Sequence, residues 1–211
     1  MQEFEIERKL PMKLDLVHDI QVAYRKTLDS MSRPGLISNI RDQANKVARE
    51  ISNFNSDATL VLVLMLFDTE VKFKVCSRRK AEIAELINQL TYAKPTERQN
   101  ADFILVLDDA DPEEFKQVFK DAYPGDLRDP HKAATIIIEA DAVSNERGLT
   151  LTGPGIEKES HILVKTIHSW VNLRAEKNPE YPLGIDLIFT DTEANILCLP
   201  RTTQVSQEVA G

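Results

Sequence analysis

The stretch Leu183-Gly184-Ile185-Asp186-Leu187-Ile188-Phe189-Thr190-Asp191, continued by Leu197-Cys198-Leu199-Pro200-Arg201-Thr202-Thr203, reads as two short strands joined by a polar turn. Ile185, Leu187 and Phe189 alternate with Asp186 and Thr190, so one face of the first strand is suited to burial. The residues Asp191-Thr192-Glu193-Ala194-Asn195 are polar enough for a hairpin loop. Pro200 has no amide hydrogen to donate, so sheet pairing stops there and Arg201 emerges at the sheet end. An arginine so placed is a candidate anion contact. A surface salt bridge is the stronger reading of the spacing alone.

Upstream, Phe103-Ile104-Leu105-Val106-Leu107 and Ala133-Ala134-Thr135-Ile136-Ile137-Ile138 are almost continuously apolar. Strands covered on both faces read this way. Val71-Lys72-Phe73-Lys74-Val75 alternates and reads as a half-exposed strand. Ser77 is expected to cap a helix over 78–90, with Ile83, Leu86, Ile87 and Leu90 inward. A short helix begins at Asp111-Pro112-Glu113-Glu114, and Tyr123-Pro124-Gly125 turns the chain. The short strand Leu149-Thr150-Leu151-Thr152 runs into Gly153-Pro154-Gly155-Ile156. A helix over 158–175 is predicted next, with Leu163, Val164, Ile167, Trp170 and Val171 inward. The residues after Thr203 are polar and are expected to fray.

The clearest periodicity lies over 14–31. Leu14, Val17, Gln21, Tyr24, Leu28 and Met31 recur at alternating spacings of four and three, one face of a helix. Leu16, Ile20 and Ala23 widen that face; Arg25, Lys26 and Asp29 lie opposite. Pro34-Gly35 ends the helix. So wide an apolar face usually packs on the body of a domain, but it also suits a dimer seam, and the pattern fits both. Residues 38–56 read as mostly loop. The run Ala58 to Phe67 is apolar all round and fits a buried strand or a buried helix; Asp57 as N-cap and the length of the run lean it to helix. Interleaved helices and strands point to a single α/β domain over 1–211, a three-layer sandwich around a mixed sheet.

Composition narrows the function. The 211 residues are 42% hydrophobic and 28% charged, with a formal net charge of -8. That acidity argues against nucleic acid and against an anionic membrane as the main partner. The longest apolar run, Leu60 to Phe67, is too short to span a bilayer. Met1-Gln2-Glu3-Phe4-Glu5 does not resemble a secretory signal. Cys76 and Cys198 lie far apart in no metal spacing, which fits a reducing, cytoplasmic setting.

Candidate chemistry is sparse. In Asp108-Asp109-Ala110-Asp111-Pro112-Glu113-Glu114 a cation loop would need a glycine, whereas helix capping by Asp111, Pro112 and Glu114 accounts for the residues. His161 and His168, seven apart on the predicted helix, are too distant to share one ion. Gly153-Pro154-Gly155 precedes a helix and could offer amides to a phosphate, but Pro154 removes one, so a tight turn is favoured. Arg33 could bind an anion, or could serve the helix dipole.

Four segments together resemble one family. They are Tyr24-Arg25-x-x-Leu28-x-x-Met31-Ser32-Arg33-Pro34-Gly35, Leu151-Thr152-Gly153-Pro154-Gly155-Ile156, Pro182-Leu183-Gly184-Ile185-Asp186 and Leu199-Pro200-Arg201-Thr202-Thr203. Each is weak alone. In this order, across residues 24 to 203, they resemble the H subunit of the bacterial carbon–phosphorus lyase core complex. The resemblance implies a fold similar to the large domain of pyridoxal-phosphate-dependent transferases, with that cofactor lost. It implies a homodimer that assembles with G, I and J subunits in phosphonate catabolism. There the complex transfers a phosphonate to the ribose C1 of ATP and releases adenine. No catalytic residue carries over, and the isolated chain is expected to be inactive. Lys132 and Lys165 are the nearest Schiff-base candidates, neither in a convincing motif, so no pyridoxal phosphate is expected. Arg33, Gly153, Gly155 and Arg201 remain as candidate anion or interface contacts. Two other readings stay open: an anion- or nucleotide-binding module built on those residues, and a diverged pyridoxal-phosphate enzyme.

Overall fold

The computed structural model describes residues 13–47 and 54–207. In chain order the elements are α1 (His18–Ser32), β1 (Ser38–Asn39), α2 (Arg41–Ala44), α3 (Asp57–Leu66), β2 (Lys72–Cys76), α4 (Lys80–Thr91), β3 (Lys94–Pro95) and β4 (Phe103–Val106). Then come α5 (Pro112–Asp121), β5 (Thr135–Glu139), β6 (Ala142–Thr152), β7 (Ser160–Lys165), α6 (Val171–Lys177), β8 (Asp186–Thr190), β9 (Asn195–Leu199) and β10 (Gln204–Gln207).

The main sheet has seven strands in the order β1-β9-β8-β5-β4-β2-β3. Strands β8, β5, β4, β2 and β3 are parallel. The hairpin partner β9 and the short β1 run antiparallel at one edge. From β2 the chain steps outward to β3, then returns to the other side of β2 as β4 and continues through β5 to β8. Crossovers between parallel strands are right-handed, so this reversal sends α4 to one face and α5 and α6 to the other. Two cores result. Ile137 and Ile188 point to the side of α1, α3 and α4, with Leu60, Val63 and Ile83. Ile136, Ile138, Leu187 and Phe189 point to the side of α5, with Phe115 and Trp170. The apolar runs at β4 and β5 are thus covered on both faces, as their composition requires.

The ambiguous run 57–66 is a helix, buried through Leu60 to Val63. Its N-cap is Ser56, one residue before Asp57, and Asp57 is the first helical residue. At α5 the expected cap is present, since the Asp111 carboxylate accepts from the amides of Glu113 and Glu114. Glu114 turns instead toward Lys80 and Arg98.

Several expectations give way. The helix predicted over 158–175 is strand β7 followed by α6. Its apolar residues come from two elements: Ile162 fills a core as a strand residue, and Trp170 does so at the start of α6. The tail after Thr203 continues as β10, which pairs with β6; residues 208–211 lie outside the described residues. Strands β10, β6 and β7 form a second sheet of three strands that covers the α5 face of the main one. The stretch 38–56 contains β1 and α2, while 48–53 and the N-terminal residues 1–12 lie outside the described residues.

Helix α1 forms near the expected place but sits on another face. Asp19, Ala23, Thr27 and Ser30 are its buried row. These short side chains let the helix lie close on β9, where the Ser30 hydroxyl accepts from the Cys198 amide at 2.9 Å and donates to the Leu36 carbonyl at 2.8 Å. Asp19 pairs with Lys46 at 2.7 Å. Of the predicted face and the residues that widen it, Leu14 and Ala23 are buried and Ile20 and Met31 partly so, while Leu16, Val17, Gln21, Tyr24 and Leu28 are exposed.

Candidate functional site

All four signature segments are joined in space, the third through the contact of Asp186 with Arg201. Gly155 has φ +83°, and a Cβ there would lie 2.3 Å from the Ser32 carbonyl oxygen. Gly153 has φ +125°, and a Cβ there would lie 2.9 Å from the Thr202 carbonyl oxygen. Both are left-handed conformations that a side chain resists. The Gly153-Pro154-Gly155 turn is therefore a wedge between the loop after α1 and the loop after β9. It leads to strand β7, so it is no helix-N-terminal phosphate cradle. Asn145 completes the contact by donating to the Gly35 carbonyl at 2.8 Å.

Arg201 is engaged within the chain. Its amide donates to Asp186 Oδ1 at 2.6 Å and its Nε to the same oxygen at 3.2 Å. The guanidinium also bonds Asp186 Oδ2 and the Pro130 carbonyl. A bidentate arginine–carboxylate pair, each partner 16% exposed, is a directional clamp. It ties the end of β9 to the start of β8 and to the turn before β5. Beneath it, buried Arg174 donates to the Pro200 carbonyl at 2.7 Å. Burial lowers the Arg174 pKa to about 10, against the pull of Asp186. Arg33 instead stands on the surface, paired with Asp29 one turn back at 3.0 Å. Spacing could not show that Arg201 already has partners, which depends on where Asp186 and Pro130 come to lie.

The carboxyl ends of the parallel strands form a second cluster. In open α/β sheets ligands bind where the strand order reverses, here between β2 and β4. Ion pairs bridge that position. Arg79 reaches Asp108 at 3.5 Å and Asp109 at 3.3 Å, and Lys80 reaches Glu114 at 3.3 Å. Burial pushes the Asp109 carboxyl up, but hydrogen bonds from Ser77 and Arg79 outweigh it and hold it below the usual range. Next to this bridge Glu139, the last residue of β5, is 4% exposed. Its carboxylate accepts from the amides of Ser56 at 3.1 Å, Asn55 at 3.4 Å and Asp108 at 3.4 Å. Burial raises its pKa to about 7, although the Ser56 amide and Thr59 oppose the shift. The sequence reading passed over Glu139. The available signal was a charged residue directly after Ile136-Ile137-Ile138.

The histidines do not share a helix. His161 lies on β7, within 3.5 Å of Glu159. His168 precedes α6, with Nε2 3.0 Å from the Ala110 carbonyl and its ring edge-on to Phe115. Among the described residues no group of three or more His, Cys, Asp or Glu is placed to hold a metal ion. Nor is any helix among them long and apolar enough to cross a membrane. The lysines do not fit pyridoxal phosphate. Lys132 is exposed and bonded to Asp129 at 2.7 Å, which raises its pKa. A Schiff-base lysine needs the opposite environment. Lys165 lies exposed at the end of β7, outside the main sheet.

The profile of the family described as "Bacterial phosphonate metabolism protein (PhnH)" matches residues 12–206. The chain belongs to the PhnH family, the H subunits of carbon–phosphorus lyase. It is 28% identical over 196 residues, 92% of this chain and 94% of the relative, to a protein of Rhizobium meliloti (strain 1021). That relative is named alpha-D-ribose 1-methylphosphonate 5-triphosphate synthase subunit PhnH. It is 36% identical over 83 residues to HtxG of Stutzerimonas stutzeri, which is named as a candidate C-P lyase subunit; the match spans 39% of this chain and 42% of that protein. The matched span 12–206 takes in all four signature segments.

Proposed function

We propose that this PhnH-family chain is a non-catalytic, cytoplasmic subunit of the carbon–phosphorus lyase core complex. It acts with the G and I subunits in transfer of a phosphonate to the ribose C1 of ATP, with release of adenine, and with the J subunit in the larger assembly. It pairs with a second copy of itself. The observation that carries this reading is the relative named as a synthase subunit, matched across 92% of the chain. The side chains support it. Arg201, the strongest anion candidate, spends its donors on Asp186 and Pro130, and Arg79 spends its charge on Asp108 and Asp109. Cations held this way build a scaffold rather than a pocket for triphosphate. We assign Gly153, Gly155 and Arg201 to shaping the loops that present Arg33 at an interface. The seven-stranded sheet is the counterpart of the large domain of pyridoxal-phosphate transferases, its ligand crevice bridged by the Arg79 pairs.

The test is affinity purification of the tagged chain from phosphate-starved cells. G, I and J subunits are expected to come with it. Recovery of this chain without them, from cells shown to express all three, would refute the assignment.

A further inference from the structure

A cleft of about 500 Å³ opens between the three-stranded sheet and the start of α6. Its apolar wall is made by Leu149 on β6, Leu163 on β7 and Trp170, which leads into α6. Its polar rim is Lys165 at the end of β7, Ser169, and Gln207 at the end of β10. Among the described residues the Lys165 ammonium has no hydrogen-bond or ion-pair partner, and no carboxylate lines the cleft. This sets it apart on a chain with 34 acidic and 26 basic residues. By contrast, the groove between α5 and α6 sets Glu113 and Glu176 against its lysines, and the cleft between α1 and α3 carries no charge.

Local structure builds the cleft. The pairing of β6 with β7 shifts register between Ser144 and Leu149, and such a bulge bends the strand and re-aims its side chains. Gly148 sits in that bulge, where a Cβ would lie 2.8 Å from Leu163 Cδ1. Glycine there lets Leu163 keep its place on the wall. On the opposite side the Trp170 ring packs on Phe189, with centroids 4.9 Å apart. The Thr166 hydroxyl donates to the His168 carbonyl at 2.8 Å, and the His168 ring lies against Phe115. Both walls are thus held by the fold itself, and a preformed cleft spares binding the cost of ordering them.

We propose that this cleft binds a small organic anion, with its charged head on Lys165, Ser169 and Gln207 and its apolar body on Leu149, Leu163 and Trp170. The volume falls within the roughly 300–1,000 Å³ of small-molecule pockets, and an apolar wall with a few polar groups at the rim is their usual lining. An inorganic anion would leave that wall uncovered. One ammonium balances one negative charge, so a nucleoside triphosphate, which carries several, is a poor fit. Phosphonates and carboxylates on a short alkyl chain share the required chemistry. The cleft is separate from Arg33, Arg201 and the Gly153-Pro154-Gly155 turn, and the proposal goes beyond the subunit assignment without depending on it.

Trp170 is the protein's single tryptophan, so its emission reports on the cleft directly. The full chain is titrated with hexylphosphonate, hexanoate and hexylamine at millimolar concentration, with calorimetry alongside. A saturable change is expected with one or both anions and none with the amine; the tighter anion identifies the head group. Lys165→Met keeps the apolar stem and removes the charge, and should weaken anion binding by about tenfold or more. Lys165→Arg should keep most of it. Lys165 is exposed, so both variants are expected to match the wild type in circular dichroism. No saturable emission change and no heat with either anion would overturn the proposal. So would hexylamine binding as tightly as the anions, or an affinity that Lys165→Met leaves intact. Recovery of G, I and J is a separate measurement, so failure here leaves the subunit assignment standing.

Discussion

Glu139 offers the sharpest physical test of this fold. The perturbation is Glu139→Gln, which removes the charge and keeps the shape. In the fold the pKa of Glu139 is raised by burial from 4.5 to about 7. The neutral form is therefore the one the fold favours. Its contribution is fully present below pH 4.5 and is lost as the pH rises to about 7, because over that window the unfolded chain releases the proton and the folded chain does not. That displacement corresponds to roughly 3–4 kcal/mol. The glutamine variant stays on the neutral branch. It should match the wild type to within about 1 kcal/mol near pH 4.5, the value of one hydrogen bond, and be more stable by about 1–3 kcal/mol above pH 7. The assay is urea unfolding from pH 4.5 to 8, read as the difference between the two midpoints at each pH, which cancels the other titrating groups. Midpoints that stay parallel across the window would refute the claim that Glu139 is buried against the amides of Asn55, Ser56 and Asp108. Glu139→Ala is the companion measurement. It leaves those three amides without their acceptor and is expected to destabilise by about 2–4 kcal/mol near pH 4.5, a cost that shrinks toward pH 7 as the wild type loses its own contribution.

Three further outcomes follow from the same geometry. Arg201→Ala strands the partly buried Asp186 carboxylate and should cost about 2–4 kcal/mol in denaturant unfolding, whereas an unchanged midpoint would show that the clamp contributes nothing. Gly155→Ala places a Cβ against the Ser32 carbonyl at a positive φ and should lower stability by more than about 2 kcal/mol; thermal unfolding of the variant, compared with Pro154→Ala at the exposed neighbouring position, checks it. Cys76 and Cys198 are both buried, and burial raises each thiol to about 12, so both should resist a thiol reagent in native protein at pH 8 and react once unfolded.

Hairpin β8–β9 and strands β2, β4 and β5 could be read from the sequence because strand signals are local. Alternation and apolar runs depend only on neighbours in the chain. The α5 cap was legible for the same reason, as Asp111 bonds amides two and three residues on. The stretch 158–175 was misread because Leu163, Val164, Ile167, Trp170 and Val171 mimic a helical stripe when they come from a strand and a later helix. What separates them is the pairing of His161, Leu163 and Val164 with Thr150, Ser144 and Val143. Helix α1 shows the reverse case. Its period was correct and its orientation was not, since hydrophobicity points inward only where the contact surface has room for large side chains. Against β9 there is room for Ala23, Thr27 and Ser30. The surroundings of the candidate residues were not legible: sequence order singled out Gly153, Gly155, Arg33 and Arg201 without their partners, and it passed over Glu139.

By itself the sequence determined the α/β composition, the core strands covered on both faces and the resemblance to the phosphonate family, since each rests on residue type and local order. Only the tertiary structure decided that Arg201 is clamped by Asp186, that Glu139 is buried among amides, and that the apolar side of α1 faces outward. These depend on distances between residues far apart in the chain. Charge balance and burial are properties of what surrounds a side chain in space, and residue order alone does not specify those surroundings.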